Sequence, residues 1–234
     1  MINYQGIDID FCKKQYKNNH QLVINNFLDN DFAEKLNHYY LNEFPKNQWC
    51  ATYMPSLKYP ESWEWWLNTP YNKYNMQIAY AHSTNARDSG LFSYFFYKII
   101  EDKIPDLSST IHKEAMSLFN HNDILELLSN ITELNLTKHD KTFVSKYSER
   151  CFLSEHTDEP NGKLAFVYHL TKNWNPDWGG LYLNLTDKNN IKTICPSFNK
   201  LVIFDVKNYK TPHSVTQVVD NCIHERISIT GWYD

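Results

Sequence analysis

His156-Thr157-Asp158, His213 and Arg226 are the residues of this 234-residue chain whose types and spacing point most directly to chemistry. Two imidazoles and one carboxylate on one face of an octahedral ion leave three positions open, the ligand set of non-haem Fe(II) oxygenases. His156 and Asp158 stand two apart, so on a β-strand both side chains point to one face and Thr157 to the other. The third ligand must then come from a different strand. His213 suits that role, because Pro212 marks a strand entry and the β-branched alternation up to Thr216 continues it. A lone His-x-Asp is weak evidence in a chain with ten histidines, so the surrounding elements must carry part of the argument.

Those elements change character along the chain. Gln21 to Asp29 is an apolar strand that runs into a helix beginning near Asp29 to Asp31, with Asp31 and Glu34 spaced for capping and Phe32, Leu36, Tyr39 and Tyr40 on it. Helices are predicted over about residues 30–43 and 91–102, with one or two more between Ser109 and Asn130, where Leu118, Leu125 and Leu128 recur at helical spacing. From Thr142 onward the segments are short, β-rich and separated by turn residues. With only six glycines, the asparagine pairs Asn18-Asn19, Asn25-Asn26 and Asn189-Asn190 are the turn candidates. The expected fold is α+β with a mainly β core, a double-stranded β-helix (jelly roll) with helices from the N-terminal half packed on one sheet. A single domain over 1–234 is expected, with 1–140 as a mixed helical part and 141–234 as the jelly-roll core. Between Tyr53 and Tyr80 the chain is dense in aromatics around Trp63, Trp65 and Trp66; core packing is the bland reading, a lid or wall of the substrate pocket the functional one.

Composition narrows the classes. A net charge of -4 gives no basic field for a phosphate backbone, which argues against non-specific nucleic-acid binding. No apolar run reaches bilayer length and the N-terminus lacks a secretory pattern, so no membrane partner and a cytoplasmic location are expected. Five scattered cysteines without Cys-x-x-Cys spacing argue against a disulfide framework or structural zinc.

The segments after His156 follow a recognisable order: Leu164 to Leu170 with Trp174, then Gly179-Gly180, Pro196 through Phe204, His213-Ser214-Val215, and Arg226 through Trp232. This order resembles the Fe(II)- and 2-oxoglutarate-dependent dioxygenases, in their prolyl-4-hydroxylase-like branch. The resemblance implies Fe(II) held by His156, Asp158 and His213, with 2-oxoglutarate and O2 as co-substrates and ascorbate as a stimulant. It implies hydroxylation of an unactivated C–H bond, in a prolyl residue of a peptide or protein or in a free amino acid. Because Asp158 is retained where halogenating members carry a small residue, hydroxylation, or another oxidation such as desaturation or ring formation, is favoured over halogenation.

Further roles follow from the same resemblance. Arg226, thirteen residues after His213, is placed for the far carboxylate of 2-oxoglutarate, which a planar guanidinium can grip with two parallel hydrogen bonds. Ser228 and Thr230 alternate onto the same face. Tyr147 lies where relatives often place a pocket tyrosine, and either Tyr168 or His169 takes the position that often supplies a tyrosine to the cofactor. Arg87 and Arg150 are the other arginines that could meet a substrate carboxylate. A non-catalytic jelly-roll module that binds metal or senses a ligand is the alternative reading.

Overall fold

In a computed structural model the described residues are 1–54, 64–104, 107, 109–139 and 141–234, with the side chains of residues 64–66 also outside the description. The elements run α1 (Ile9–Asn19), β1 (Gln21–Asn25), α2 (Asn30–His38), β2 (Cys50–Tyr53), β3 (Glu64–Leu67), α3 (Lys73–Asp88), β4 (Tyr94–Lys98), α4 (Thr110–Phe119) and α5 (Asn122–Thr132). The second half is mainly strand, with one short 3-10 turn at Pro176–Trp178: β5 (Phe143–Tyr147), β6 (Phe152–His156), β7 (Leu164–His169), β8 (Tyr182–Asn184), β9 (Lys192–Ile194), β10 (Lys200–Asp205), β11 (His213–Val215) and β12 (Arg226–Tyr233).

The strands pair antiparallel in the order β1-β10-β7-β12-β5-β4-β6-β11-β8-β9, with β2 and β3 extending from β4. β4 is the joint of this curled sheet. Its C-terminal end pairs β5 through Tyr97 and Lys98, and its N-terminal end pairs β6 through Tyr94 and Phe95, so a five-strand wall and a four-strand wall share one bridging strand. This is the jelly-roll architecture expected from the sequence, with α1, α2, α4 and α5 on the outer side of the larger wall and α3 packed on β4 and β2.

Period-2 alternation sorts the side chains of that wall. Outward go Leu164, Phe166 and Tyr168 of β7 with Ile227, Ile229 and Tyr233 of β12, and they share one apolar core with α2, α4 and α5. Phe119 of α4 stacks on Phe166 at 4.9 Å, and Phe166 on Tyr233 at 5.1 Å. Inward go Arg226, Ser228, Thr230 and Trp232, which line a cavity of about 650 Å³ between the two walls.

Three elements differ from expectation. Residues 91–102 are not a helix: Tyr94-Phe95-Phe96-Tyr97 is an aromatic run, and its alternate side chains face opposite sides of a strand. The N-cap of α2 is Asp29, whose carboxylate accepts from Phe32 N at 3.1 Å, not Asp31. Asn18-Asn19 ends α1, and the left-handed turn residue is His20 at φ 52°. Two helices, α1 and α3, went unanticipated. Both are polar on average, so periodicity marks them faintly. The N-terminal half also contributes β1 and β4 to the main sheet, so helices and strands are less segregated than the sequence suggested.

Candidate metal centre

β6 delivers His156 at its last residue, and the following loop carries Asp158 to the same side. His213 opens β11 directly opposite, paired with His156 across the ladder. The consequence is three ligand atoms, one from each side chain, all within 4.8 Å of one another. His156 Nε2 lies 3.3 Å from Asp158 Oδ1, and His213 Nε2 lies 3.8 Å from Asp158 Oδ2. Ligands at about 2.1 Å on adjacent octahedral corners sit about 3.0 Å apart, so small side-chain adjustments close the triad on one ion.

Backbone carbonyls fix which nitrogens are offered. His156 Nδ1 lies 3.0 Å from the Ser154 carbonyl oxygen and His213 Nδ1 2.9 Å from that of Thr211. A carbonyl only accepts, so each Nδ1 carries the proton and donates, and each Nε2 presents its lone pair to the other ligands. Burial pushes the His213 pKa down to about 4, with the neighbouring His156 adding to the effect, so the ring is neutral and ready to coordinate at neutral pH. Burial opposes ionisation of Asp158, yet His156, His213 and Trp232 outweigh it and hold the carboxyl below its ordinary range. Two imidazoles directed through Nε2 and one carboxylate, with the opposite side of the site open to the cavity, fit a divalent ion of the Fe(II) type.

Arg226 faces the same cavity from β12. It is 2 % exposed, its guanidinium lies over the Tyr147 ring at 4.7 Å, and Nε and Nη1 have no hydrogen-bond partner. A buried cation with unmet donors fits an anionic ligand group. The Gly179-Gly180 turn passes close to the strand-like segment after β11: a Cβ on Gly179 would lie 2.0 Å from the Gln217 carbonyl oxygen, and one on Gly180 3.2 Å from the side chains of Trp174 and Val218. Both glycines have positive φ, which side chains other than hydrogen rarely tolerate.

The other candidate residues fall into place by strand parity. Tyr147, Ser228 and Thr230 line the cavity, and the Ser228 and Ser145 hydroxyls meet at 3.0 Å. His169 pairs with Ser228 and shares its inward face. Tyr168 points outward, where its hydroxyl donates to Asn199 Oδ1 at 2.9 Å. Arg87 does not line the cavity: it bonds Asp88 and Gln217 and lies over Phe152. Arg150 pairs with Asp220 at 3.4 Å, also outside the cavity. Trp63 lies outside the described residues, as do the side chains of Trp65 and Trp66; the backbone of the latter two pairs β3 with β2.

Sequence reasoning missed Lys98, Tyr182 and Trp232, all of which line the cavity. Trp232 was within reach, since it continues the alternation that begins at Arg226. Lys98 was hidden by the helical reading of its segment. Tyr182 follows Gly179-Gly180, and its ring stacks on His213 at 5.4 Å.

A jelly-roll sheet with a His-Asp-His triad facing a buried arginine defines a class of metal-dependent oxygenases. Residues 142–234 match the family model described as the 2OG-Fe(II) oxygenase superfamily. Prolyl 3-hydroxylase OGFOD1 of Mus musculus is 33 % identical over 131 residues, covering 52 % of this chain and 23 % of the mouse protein. The Xenopus laevis protein of the same name is 31 % identical over 131 residues, covering 52 % of this chain and 25 % of its own length. The chain thus spans about a quarter of the length of these curated relatives. A Pseudomonas putida prolyl-4-hydroxylase structure matches with TM-score 0.56 at 13 % identity, over 96 % of this chain and 98 % of that one. A Burkholderia pseudomallei oxidoreductase of the 2OG-Fe(II) oxygenase family matches with TM-score 0.60 at 10 % identity, over 100 % and 93 %. A Trichoplax adhaerens prolyl hydroxylase, solved with a hypoxia inducible factor peptide, gives 0.56 at 18 %, over 96 % and 88 %. The 2OG-Fe(II) oxygenase match thus lies on residues 142–234, the strand-rich part that carries the triad and Arg226, while the fold of nearly the whole chain is similar to that of these solved structures.

Proposed function

We propose that this chain is an Fe(II)- and 2-oxoglutarate-dependent dioxygenase that hydroxylates a prolyl residue in a peptide or protein. The observation that carries the reading is the pairing of two features on one cavity: a triad whose Nε2 atoms are aimed by backbone carbonyls, and an arginine whose buried donors are unmet. His156, Asp158 and His213 would hold the ion and Arg226 the far carboxylate of 2-oxoglutarate, with Tyr147 stacked against the guanidinium to keep it in place.

Bound together, the ion and the keto acid supply an oxidation in which one atom of O2 enters succinate, carbon dioxide leaves, and the other oxygen atom becomes the substrate's hydroxyl. The chain's own work is positioning and exclusion. Phe92, Tyr94, Phe96, Phe143 and Trp232 wall the cavity with aromatic surface, which keeps water out and gives a prolyl ring flat faces to lie on. Phe92 also packs against His156, 5.4 Å between ring centroids, on the side where a substrate would approach. A peptide is favoured over a free amino acid because neither Arg87 nor Arg150 reaches the cavity to bind a substrate carboxylate. The prolyl-hydroxylase relatives point the same way.

The test is mass spectrometry of prolyl peptides and intact proteins incubated with the Fe(II)-loaded chain, 2-oxoglutarate and O2. The expected result is a gain of one oxygen atom on a prolyl residue with one succinate per hydroxyl. Bound iron with no succinate in the presence of every substrate would instead make the chain a metal-binding module.

A further inference from the structure

The open side of the cavity carries charge that neither the triad nor Arg226 accounts for. The buried end of the lining holds Arg226, Tyr147 and Ser145, whereas the partly exposed end holds Lys98, Lys141, Thr142, Phe143, Asn161 and Trp232. Lys141 stands just before β5, and its Nζ donates to Asn161 Oδ1 at 3.0 Å. The backbone N–H of Asn161 donates to the Asp158 carbonyl oxygen at 2.7 Å, so the lysine is tied to the loop that carries the metal ligand. Lys98 comes to the same end from β4. Its ammonium lies 5.4 Å from the centre of the Phe143 ring, and that ring packs on Trp232 at 6.1 Å. Trp232 in turn lies beside the Asp158 carboxyl. Both lysines therefore flank the way in to the triad.

Carboxylates are scarce at this mouth. Asp158 is the one acidic side chain among the described residues that line the cavity. Two acids close by in sequence are already paired, Glu155 with Lys188 at 2.9 Å and Glu159 with Lys210 at 3.1 Å. Lys141 makes no ion pair among the described residues, and a neutral amide meets one of its three donors. Burial lowers the Lys98 pKa, so an incoming carboxylate would offset the cost of keeping that ammonium charged.

The loaded site does not supply the missing charge. The divalent ion and Arg226 are balanced by Asp158 and the two carboxylates of the keto acid, which leaves the two lysines as an excess of positive charge at the mouth. The whole chain carries a net charge of -4, so this excess is local and opposite in sign to the rest of the molecule. A cleft lined by one sign of charge draws in ligands of the other sign and turns away its own.

Resting on the function proposed above, we propose that Lys141 and Lys98 select the substrate: the prolyl residue to be hydroxylated has aspartate or glutamate beside it in the peptide, and the two ammonium groups receive that carboxylate at the mouth while the proline ring enters the aromatic cavity. A side chain is the source of the carboxylate because Lys141 is exposed at the rim, where a peptide continuing past the cavity would run.

The test is the binding and hydroxylation of short acetylated, amidated, alanine-based peptides with a central proline flanked on both sides by aspartate, alanine or lysine. An alanine peptide that ends in proline with a free carboxylate is the fourth probe. Binding is measured on the full chain loaded with Ni(II) and 2-oxoglutarate, and oxidation on the Fe(II) form. The aspartate peptide is expected to bind about tenfold tighter than the alanine peptide and the lysine peptide more weakly than either, with the difference carried by KM rather than kcat. Raising salt from about 50 mM to about 500 mM should narrow the gap. Lys141→Glu should invert the order of the aspartate and lysine peptides while 2-oxoglutarate binds as before, and Lys98→Met should narrow the gap without inverting it. Equal binding and hydroxylation of the three amidated peptides would overturn the proposal and leave the prolyl-hydroxylase reading standing. A preference for aspartate that persists in both variants would also overturn it, as would a preference confined to the free terminal carboxylate. No oxidation of any peptide and no succinate would instead overturn the function on which the proposal rests, and the proposal with it.

Discussion

The two faces of the larger wall are built from the same strands and do opposite things. On the outer face of β7 and β12, Phe166, Tyr168 and Tyr233 pack against the helices, and the hydroxyls of both tyrosines find acceptors: Tyr168 on Asn199 and Tyr233 on the Phe119 carbonyl, each within 2.9 Å. On the inner face, Arg226 and His169 are equally buried and leave nitrogen atoms unmet. Each such group costs about 1–3 kcal/mol in the free protein. Stability is therefore made on one face and spent on the other, where the unmet atoms lie.

If that division is right, substitutions on the two faces separate stability from binding. The largest effect belongs to the outer face. Phe119→Ala, which empties the stack on Phe166, should cost about 3–5 kcal/mol in urea unfolding while the protein that remains folded binds metal as before. His213→Ala comes next: metal affinity should fall by more than about 100-fold, beyond the loss typical of an outer-shell partner, with little change in the melting temperature of the metal-free protein. Arg226→Met should weaken 2-oxoglutarate by about 10–100-fold, since hydrogen bonds to charged groups contribute about 1.5–3 kcal/mol. The same substitution removes a buried cation with unmet donors, so metal-free stability should hold or rise, and a marked fall would blur the contrast. Smallest is Tyr168→Phe, expected to cost about 1 kcal/mol for the bond to Asn199 and to leave ligand affinity unchanged. A cofactor-binding defect in that variant would show that the faces are not separate.

The clustering of His156, Asp158 and His213 could be read from the chain because its geometry is local: a spacing of two in extended backbone favours one side, even though Asp158 lies just beyond the end of β6, and a proline before His213 marks where the partner strand starts. The Arg226 alternation was readable for the same reason. The choice between Tyr168 and His169 was not, since adjacent strand residues differ only in which side of the sheet is the cavity, and that is settled by pairing with β12. The aromatic run at residues 94–97 misled because apolar residues on both faces of a buried strand erase the period that separates strand from helix. Lys98 was lost with it. Arg87 and Arg150 were reasonable candidates by charge alone, but charge does not say which partners lie nearer, and Gln217 and Asp220 do.

The most direct test is anaerobic titration of the metal-free chain with Fe(II) and then 2-oxoglutarate, followed by visible absorption. A weak charge-transfer band that needs both components, saturates at one equivalent of iron and is lost in His213→Ala would place metal and keto acid together on the inner face. Iron held tightly with no band at saturating 2-oxoglutarate would contradict the account.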